Sequence, residues 1–331
     1  MKIKLWRAAV VALRLGTMAG ALAFLVRGMA WSQIGSTLGG ARLSLLAATV
    51  GLNALLMLAK SVRLRLLLKR QVSLQICYLA NLTSSAINNI MPLRGGDVAR
   101  LWMLERHAQV TKSVAVMVAL AERLFEILIL AALATAAAWV VPAQRWAAVA
   151  SPFLLAGAIV ILTLARMAGA ETRPARLGEE KSGLASWFAR LWARLRPGIG
   201  LLRSPGIMRA SLGLSAVAWA LEAGMIVLTG RALGLAIGFP LAIVLLLGIN
   251  LALVLPSMPA GAGVFEAGAT LVLLIAGFSK EDAVAFAVLY HAVQVIPVTL
   301  IGAAIVMRTG PTLGGLSPSE EAGANVVSIS L

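Results

Sequence analysis

Long uncharged stretches recur along the chain, separated by clusters of Lys and Arg. Leu43 to Ala59 lies between Arg42 and Lys60, Trp146 to Ala165 between Arg145 and Arg166, and Ala283 to Met307 ends at Arg308. Three further runs hold charge within them: Ala8 to Val26 with Arg14, Ser113 to Val140 with Glu122, Arg123 and Glu126, and Ala210 to Gly230 with Glu222. A helix needs about 20 mostly apolar residues to cross a bilayer core, so these runs predict six full spans. No segment alternates with a period of two, which argues against a membrane barrel. The first run has a basic flank, Met1 to Arg7, and an Ala21-Leu22-Ala23 stretch like those of cleaved leaders. Arg14 interrupts it and many spans follow, so a retained first helix is expected.

Lys and Arg collect on the cytoplasmic side of membrane proteins. With the N-terminus inside, the groups Lys2 to Arg7, Lys60 to Arg70, Arg94 to Lys112 and Arg166 to Arg209, together with Arg308, all fall in the cytoplasm. Of the 29 basic residues, only Arg27, Arg42, Arg145, Arg231 and Lys280 fall outside, and Arg14 and Arg123 sit within spans. Both termini are therefore expected to be cytoplasmic. With Lys60–Arg70 and Arg94–Lys112 on one side, Gln71 to Leu93 cannot cross once. It carries Asn81, Thr83, Ser84, Ser85, Asn88 and Asn89, which are costly against lipid. The expectation is a re-entrant hairpin lining a wet cavity. Ala232 to Ser279 is interrupted by Pro256, Pro259, Gly261 and Gly263, and its flanks Arg231 and Lys280 both lie outside. It predicts a second broken hairpin of opposite entry; two short full spans are the alternative. Two broken segments of opposite entry suggest an inverted repeat with a site near the midplane. The fold class expected is thus all-α: a polytopic helical bundle of about six full spans plus two broken hairpins in an inverted-repeat-like arrangement.

Composition agrees. The chain has 331 residues, 60% apolar and 13% charged, against about 45–50% and about 25% in soluble domains. That excludes an ordinary soluble enzyme, and the apolar content excludes a disordered chain. The net charge of +16 lies between apolar runs, so no nucleic-acid partner is expected. The single Cys77 rules out an internal disulfide framework and a multi-cysteine metal site. No Walker sequence, His-Glu-x-x-His, Cys-x-x-Cys or Gly-x-Ser-x-Gly is present. No catalytic residue, metal or cofactor is assigned, and the chain is not expected to be an enzyme. Residues 1–308 form the expected membrane domain. Its cytoplasmic loop, 167–209, carries an amphipathic helix over 184–196, with Leu184, Trp187, Phe188, Leu191, Trp192 and Leu195 on one face. That face suits an anionic lipid surface or the protein's own cytoplasmic side. Residues 309–331 are expected to be a disordered tail.

Charges at membrane depth are the best functional clues, because each is costly there. Glu122 and Glu126 lie one turn apart, and Arg123 can pair with Glu126 at i+3. Nine residues from Ser113 place the group near mid-membrane, where it is either a structural ion pair or a binding group. Glu222 stands alone in its span and needs a partner; Arg94, Arg123 and His291 are candidates, Arg14 less so. Glu266 follows the Gly-rich break and suits a cation or the cap of a helix. His291, beside Tyr290, is either a hydrogen-bonded structural residue or a proton relay. Asn88, Asn89, Arg94 and Arg100 suit a phosphate, although both arginines also fit as ordinary charge anchors.

These residues also fall into a pattern. Asn89-x-x-Pro92-x-Arg94-Gly95-Gly96-Asp97-x-x-Arg100, then Glu122-Arg123, then Pro259-x-Gly261-x-Gly263-Val264-Phe265-Glu266, then Tyr290 occur in order. The chain resembles the flippase-like transmembrane domain family, whose best-known member is the membrane half of lysylphosphatidylglycerol synthase, from about Leu5 to Arg308. Asp97 stands where that family usually has Glu, Glu126 where Asp is frequent, and His291 where Arg is common after the Tyr. Ala260 and Ala262 thin a glycine run. The resemblance implies movement of an anionic or otherwise polar-headed lipid between leaflets of a bacterial cytoplasmic (inner) membrane. Asn88, Asn89, Arg94, Gly95, Gly96, Asp97, Arg100, Glu122, Arg123, Glu126, Glu222, Gly261, Gly263, Glu266, Tyr290 and His291 are the candidate binding residues. No attached aminoacyl-transferase domain is expected. A partner subunit that presents lipid to a separate lipid-modifying enzyme, and a small-solute permease, are the alternatives; a homo-oligomer is compatible with either.

Overall fold

The computed structural model describes residues 2–28, 30–91, 95–140, 204–255 and 257–315, with positions 155, 158, 159 and 162. Among these residues there are ten α-helices and no strand. They are α1 (Lys2–Val26), α2 (Trp31–Gly39), α3 (Leu43–Leu67), α4 (Leu74–Ile90), α5 (Gly95–Ala108), α6 (Lys112–Val140), α7 (Pro205–Ala232), α8 (Phe239–Ala252), α9 (Val264–Ile275) and α10 (Lys280–Gly315). Three helices are long and apolar enough to cross a membrane by length and composition: Leu43–Leu67, Pro205–Ala232 and Lys280–Met307. The expected span over Ser113 to Val140 is the single 29-residue helix α6. The apolar part of α1 is Leu15–Val26.

From α3 the order of lengths repeats. A 25-residue helix, two short ones of 17 and 14, and one of 29 are followed by helices of 28, 14, 12 and 36 residues. The short pairs α4–α5 and α8–α9 each pack as a helical hairpin. The leading helices α3 and α7 run antiparallel: Arg42 N donates to Ala232 O at 2.9 Å, and Arg63 meets Ser215 near the opposite ends. The two halves are thus inverted, as the hydropathy pattern predicts.

Local chemistry sets the breaks. Ser73 Oγ accepts from Ile76 N at 3.2 Å and starts α4, and Ser204 with Pro205 starts α7. Met91, before Pro92, adopts φ −99° and ψ 139°, the extended backbone a following proline enforces. Between α8 and α9 the chain makes a 3-10 turn, Pro259–Gly261, with Ala260, Gly261 and Gly263 at φ of 58°, 79° and 83°. Pro297 lies inside α10 and cannot donate to the carbonyl of Val293. Asn53 of α3 supplies the donor instead, from Nδ2 to Val293 O at 3.3 Å and Gln294 O at 3.0 Å.

Each half has its own apolar cluster, and Leu56 in one and Met208 in the other reach across from the opposite half. One joins Ile226, Leu245, Phe265, Leu273, Phe286 and Tyr290 of α7 to α10. The other joins Leu64, Leu67, Cys77, Leu104, Val118 and Phe125 of α3 to α6. Hairpin α4–α5 is seated on α10, where a Cβ on Gly302 would lie 2.5 Å from Ala86 Cβ and 2.8 Å from Leu82 O.

Three expectations need correction. The first hairpin is not contained in Gln71 to Leu93: α4 fills most of that stretch, and the return arm is α5, which was expected among the cytoplasmic charges. The helix α3 does not end at Ala59 but continues through Lys60 and Arg63 to Leu67, because partners elsewhere neutralise those charges. Thr309 to Gly315 extend α10 rather than opening a tail. Most of the expected span over Trp146 to Ala165, the amphipathic helix over 184–196, and residues 316–331 lie outside the described residues.

Gly302→Val should overpack the α4–α10 seam and cost about 1–3 kcal/mol. Thermal unfolding in detergent reads this as a lower Tm; an unchanged Tm would mean the two helices are not in contact.

Candidate functional site

The first cluster is built on α3. Arg63, only 3% exposed, reaches across the bundle and places Nη2 2.8 Å from Glu126 Oε1 and 3.5 Å from Glu122 Oε1, while Nη1 donates to Ser215 Oγ of α7 at 2.9 Å. Arg100 of α5 approaches Glu122 from the other side, with Nη2 2.8 Å from Oε2. Its Nη1 donates to Asn81 Oδ1 at 3.2 Å, and Asn81 in turn donates to Ser61 Oγ at 3.0 Å. Arg123, 58% exposed in its side chain, pairs with Glu126 Oε2 at 2.9 Å, as the i+3 spacing predicts. Five helices thus converge on two carboxylates. Arg63 and Arg100 balance Glu122 and Glu126, and Arg123 adds a positive surplus at the exposed rim. Arg63 Nε and Glu122 Oε1 are buried without a hydrogen-bond partner among the described residues.

Of the partners expected for Glu222, Arg123 pairs with Glu126 and His291 with Glu266, while the side chains of Arg14 and Arg94 lie outside the described residues. The counter-ion of Glu222 is Lys60 of α3, at 3.2 Å. Lys60 and Arg63 were expected to be cytoplasmic anchors. The signal for their real place was the unpaired acids, since Glu122, Glu126 and Glu222 inside apolar runs require cations.

The tip of the first hairpin is a second polar group. Asn88 Oδ1 accepts from Gly96 N at 2.9 Å, and Asn88 Nδ2 donates to Asp97 Oδ1 at 3.4 Å. A Cβ on Gly96 would stand 1.9 Å from Ser84 O, so only glycine lets α5 start this close to α4. Gly95 opens α5 beside it. Asn89 Nδ2 donates to Thr299 Oγ1 of α10 at 2.9 Å. Arg94 lies outside the described residues.

The second tip rests on α10 about two turns away. Glu266 Oε2 accepts from Gly263 N at 2.7 Å, closing the start of α9, while Oε1 lies 2.6 Å from His291 Nδ1. His291 Nε2 is 3.1 Å from Ala260 O. The ring of Phe265 stacks on His291 with centroids 4.2 Å apart, and buried Tyr290 accepts from Gln294 Nε2 at 2.7 Å. Gly261 and Gly263 supply the left-handed backbone of this tip. Glu266 is therefore both a helix cap and the partner of His291. The 3-10 turn also packs against α4, so the two tips meet inside the bundle. Beside the second tip, α1, α8 and α9 enclose an apolar groove of about 740 Å³, lined by Gly20, Phe24, Leu251, Val264, Gly268 and Leu271 among others.

Helix lengths, apolar surface and a charged interior define a multi-pass helical membrane protein with a polar core. The chain belongs to the family described as the lysylphosphatidylglycerol synthase TM region, whose profile matches residues 6–302. No curated protein matches the sequence.

Replacing Arg63 by Met removes the one cation that reaches both carboxylates, leaving buried Glu122 to Arg100 and half-buried Glu126 to the exposed Arg123, and should cost about 3–5 kcal/mol. Adding Glu126→Gln to that variant should restore part of the lost Tm; a double variant no more stable than Arg63→Met would show that charge balance does not hold the network.

Proposed function

We propose that this chain moves a polar-headed lipid between the leaflets of its membrane. The observation that carries this reading is the meeting of two helical hairpins, too short to span, whose tips bring polar side chains and ion pairs into the middle of an apolar bundle. In this reading the hairpins are re-entrant and enter from opposite faces. Buried charge is costly, so a network of this size in a membrane bundle favours a role in handling polar cargo over a purely structural one. A lipid phosphate would exchange onto Arg123 and Arg100, and an amine onto Glu122 or Glu126, as the existing ion pairs open. The acyl tails would stay in the bilayer, one against the groove between α1 and α9. The anionic or polar-headed lipid is the partner proposed, in a bacterial inner membrane with both termini cytoplasmic.

The family description favours a second reading. A membrane region named for a synthase fits a partner subunit that presents lipid to a separate lipid-modifying enzyme. Product formation with that enzyme, without lipid movement by this chain alone, would select it.

Reconstituted protein should accelerate leaflet exchange of a fluorescent phospholipid in vesicles. Arg100→Ala or Glu122→Gln should slow exchange about ten- to hundredfold, the loss of one charge-assisted hydrogen bond. Exchange equal to wild type in both variants would remove the network from the transport path.

A further inference from the structure

His291 directs both ring nitrogens at oxygen atoms. Nε2 faces the carbonyl of Ala260 at 3.1 Å, and Nδ1 faces Glu266 Oε1 at 2.6 Å. A carbonyl only accepts, so Nε2 carries a hydrogen. A neutral imidazole has a single N–H, which would leave a bare lone pair on Nδ1 against a carboxylate oxygen. Two acceptors repel at that separation, so a hydrogen lies between them. It sits on Nδ1, as an imidazolium–carboxylate pair, because the imidazole is the stronger base of the two.

That proton fastens a strained segment. Ala260 has φ 58° and ψ 0°, left-handed backbone that a Cβ disfavours. Its carbonyl is held by His291 and the N–H of Gly263 by Glu266, so the pair ties both ends of the turn to α10. Loss of the proton to water turns the 2.6 Å contact from attraction to repulsion. The two side chains keep 10% and 14% exposure, so the packing does not seal the pair completely.

The surroundings leave this pair as the titrating unit. Glu266 is the only ionisable residue of α9, and α8 has none. The adjacent Tyr290 of α10 is buried and bonded by Gln294, and Glu222 of α7 is paired with Lys60 of α3. On α4, Tyr78 and Cys77 lie toward the far end and the tip carries Asn88 and Asn89. On α1, Gly263 faces Met18 and Ala21, with Arg14 one turn before Met18.

We propose that Glu266 and His291 form a proton-binding site that latches the tip of the second hairpin onto α10 and frees it when the proton leaves. The use of this latch in lipid movement rests on the function proposed above; the latch itself does not. Val264, at the start of α9, lines the apolar groove, so release of the tip alters the wall against which a tail would lie.

The test uses full-length protein carrying His107→Gln, Cys77→Ala and Ala262→Cys, so that His291 is the one histidine and the tip holds the one thiol. Nitrogen NMR of labelled histidine should show both ring nitrogens protonated on the acid side and loss of one proton in a single step as pH rises. Over that step, maleimide labelling at position 262, divided at each pH by the rate for the same thiol in unfolded protein to remove the thiolate slope, should accelerate on the order of tenfold per pH unit, the slope of a one-proton linkage. His291→Arg, a fixed cation, should label slowly at every pH, and Glu266→Gln rapidly at every pH. A ring that stays neutral throughout, or one that titrates while labelling stays flat, overturns the proposal. Titration and labelling as expected with no lipid exchange in vesicles would defeat the transport reading and leave the latch standing. Lipid exchange with flat labelling would do the reverse.

Discussion

An arginine enclosed in an apolar bundle is tolerated only when its charge is met, and Arg63 is met on several sides. Its guanidinium reaches Glu126 and Glu122 of α6 and Ser215 of α7 from a position on α3. Glu122 carries the connection on to Arg100 of α5, which reaches Asn81 of α4. Most of the first half of the bundle is therefore organised around two carboxylates. Removing one member leaves its partners charged in a poorly solvated place, which is why such a network is costly to break. The fork of an arginine suits this task, because one side chain can address three partners in fixed directions.

The same demand for partners explains how broken helices survive in the interior. Met91 leaves the helix ahead of Pro92, and the freed N–H of Gly96 is taken by Asn88. Pro297 withholds a donor from α10, and Asn53 replaces it from α3. At the second tip, Glu266 and His291 take up the N–H and C=O that the turn leaves over. In each case a side chain satisfies backbone that a continuous helix would have satisfied itself. The breaks thus bring polar groups to the core without leaving most of them unpaired.

The inverted order of elements has a geometric consequence. Because α3 and α7 run antiparallel, the hairpins that follow them approach from opposite ends and meet on α10. Asn89 bonds Thr299 and Glu266 bonds His291, eight residues apart on one helix, or about 12 Å at 1.5 Å per residue. One helix therefore senses both tips. A change at either can reach the other through a rigid element rather than through a chain of loops.

Much of this was written in one dimension. Apolar runs, their basic flanks and the Pro and Gly interruptions depend on spacing along the chain, so the all-helical class, the break between α8 and α9, the family resemblance and the Arg123–Glu126 pair could be read from residues alone. Glu266 as a cap was also legible, since its place three residues after Gly263 is a local matter. The counter-ions were not. Lys60 and Arg63 look like the end of a span because a charge in sequence carries no mark of what will stand opposite it. Glu222 is 162 residues from Lys60, and Arg100 reads as a loop residue until α5 folds back on α4. Residue types and spacing determined which charges would need partners. Only the packing of helices distant in sequence decided which partners they found, because an ion pair depends on separation in space.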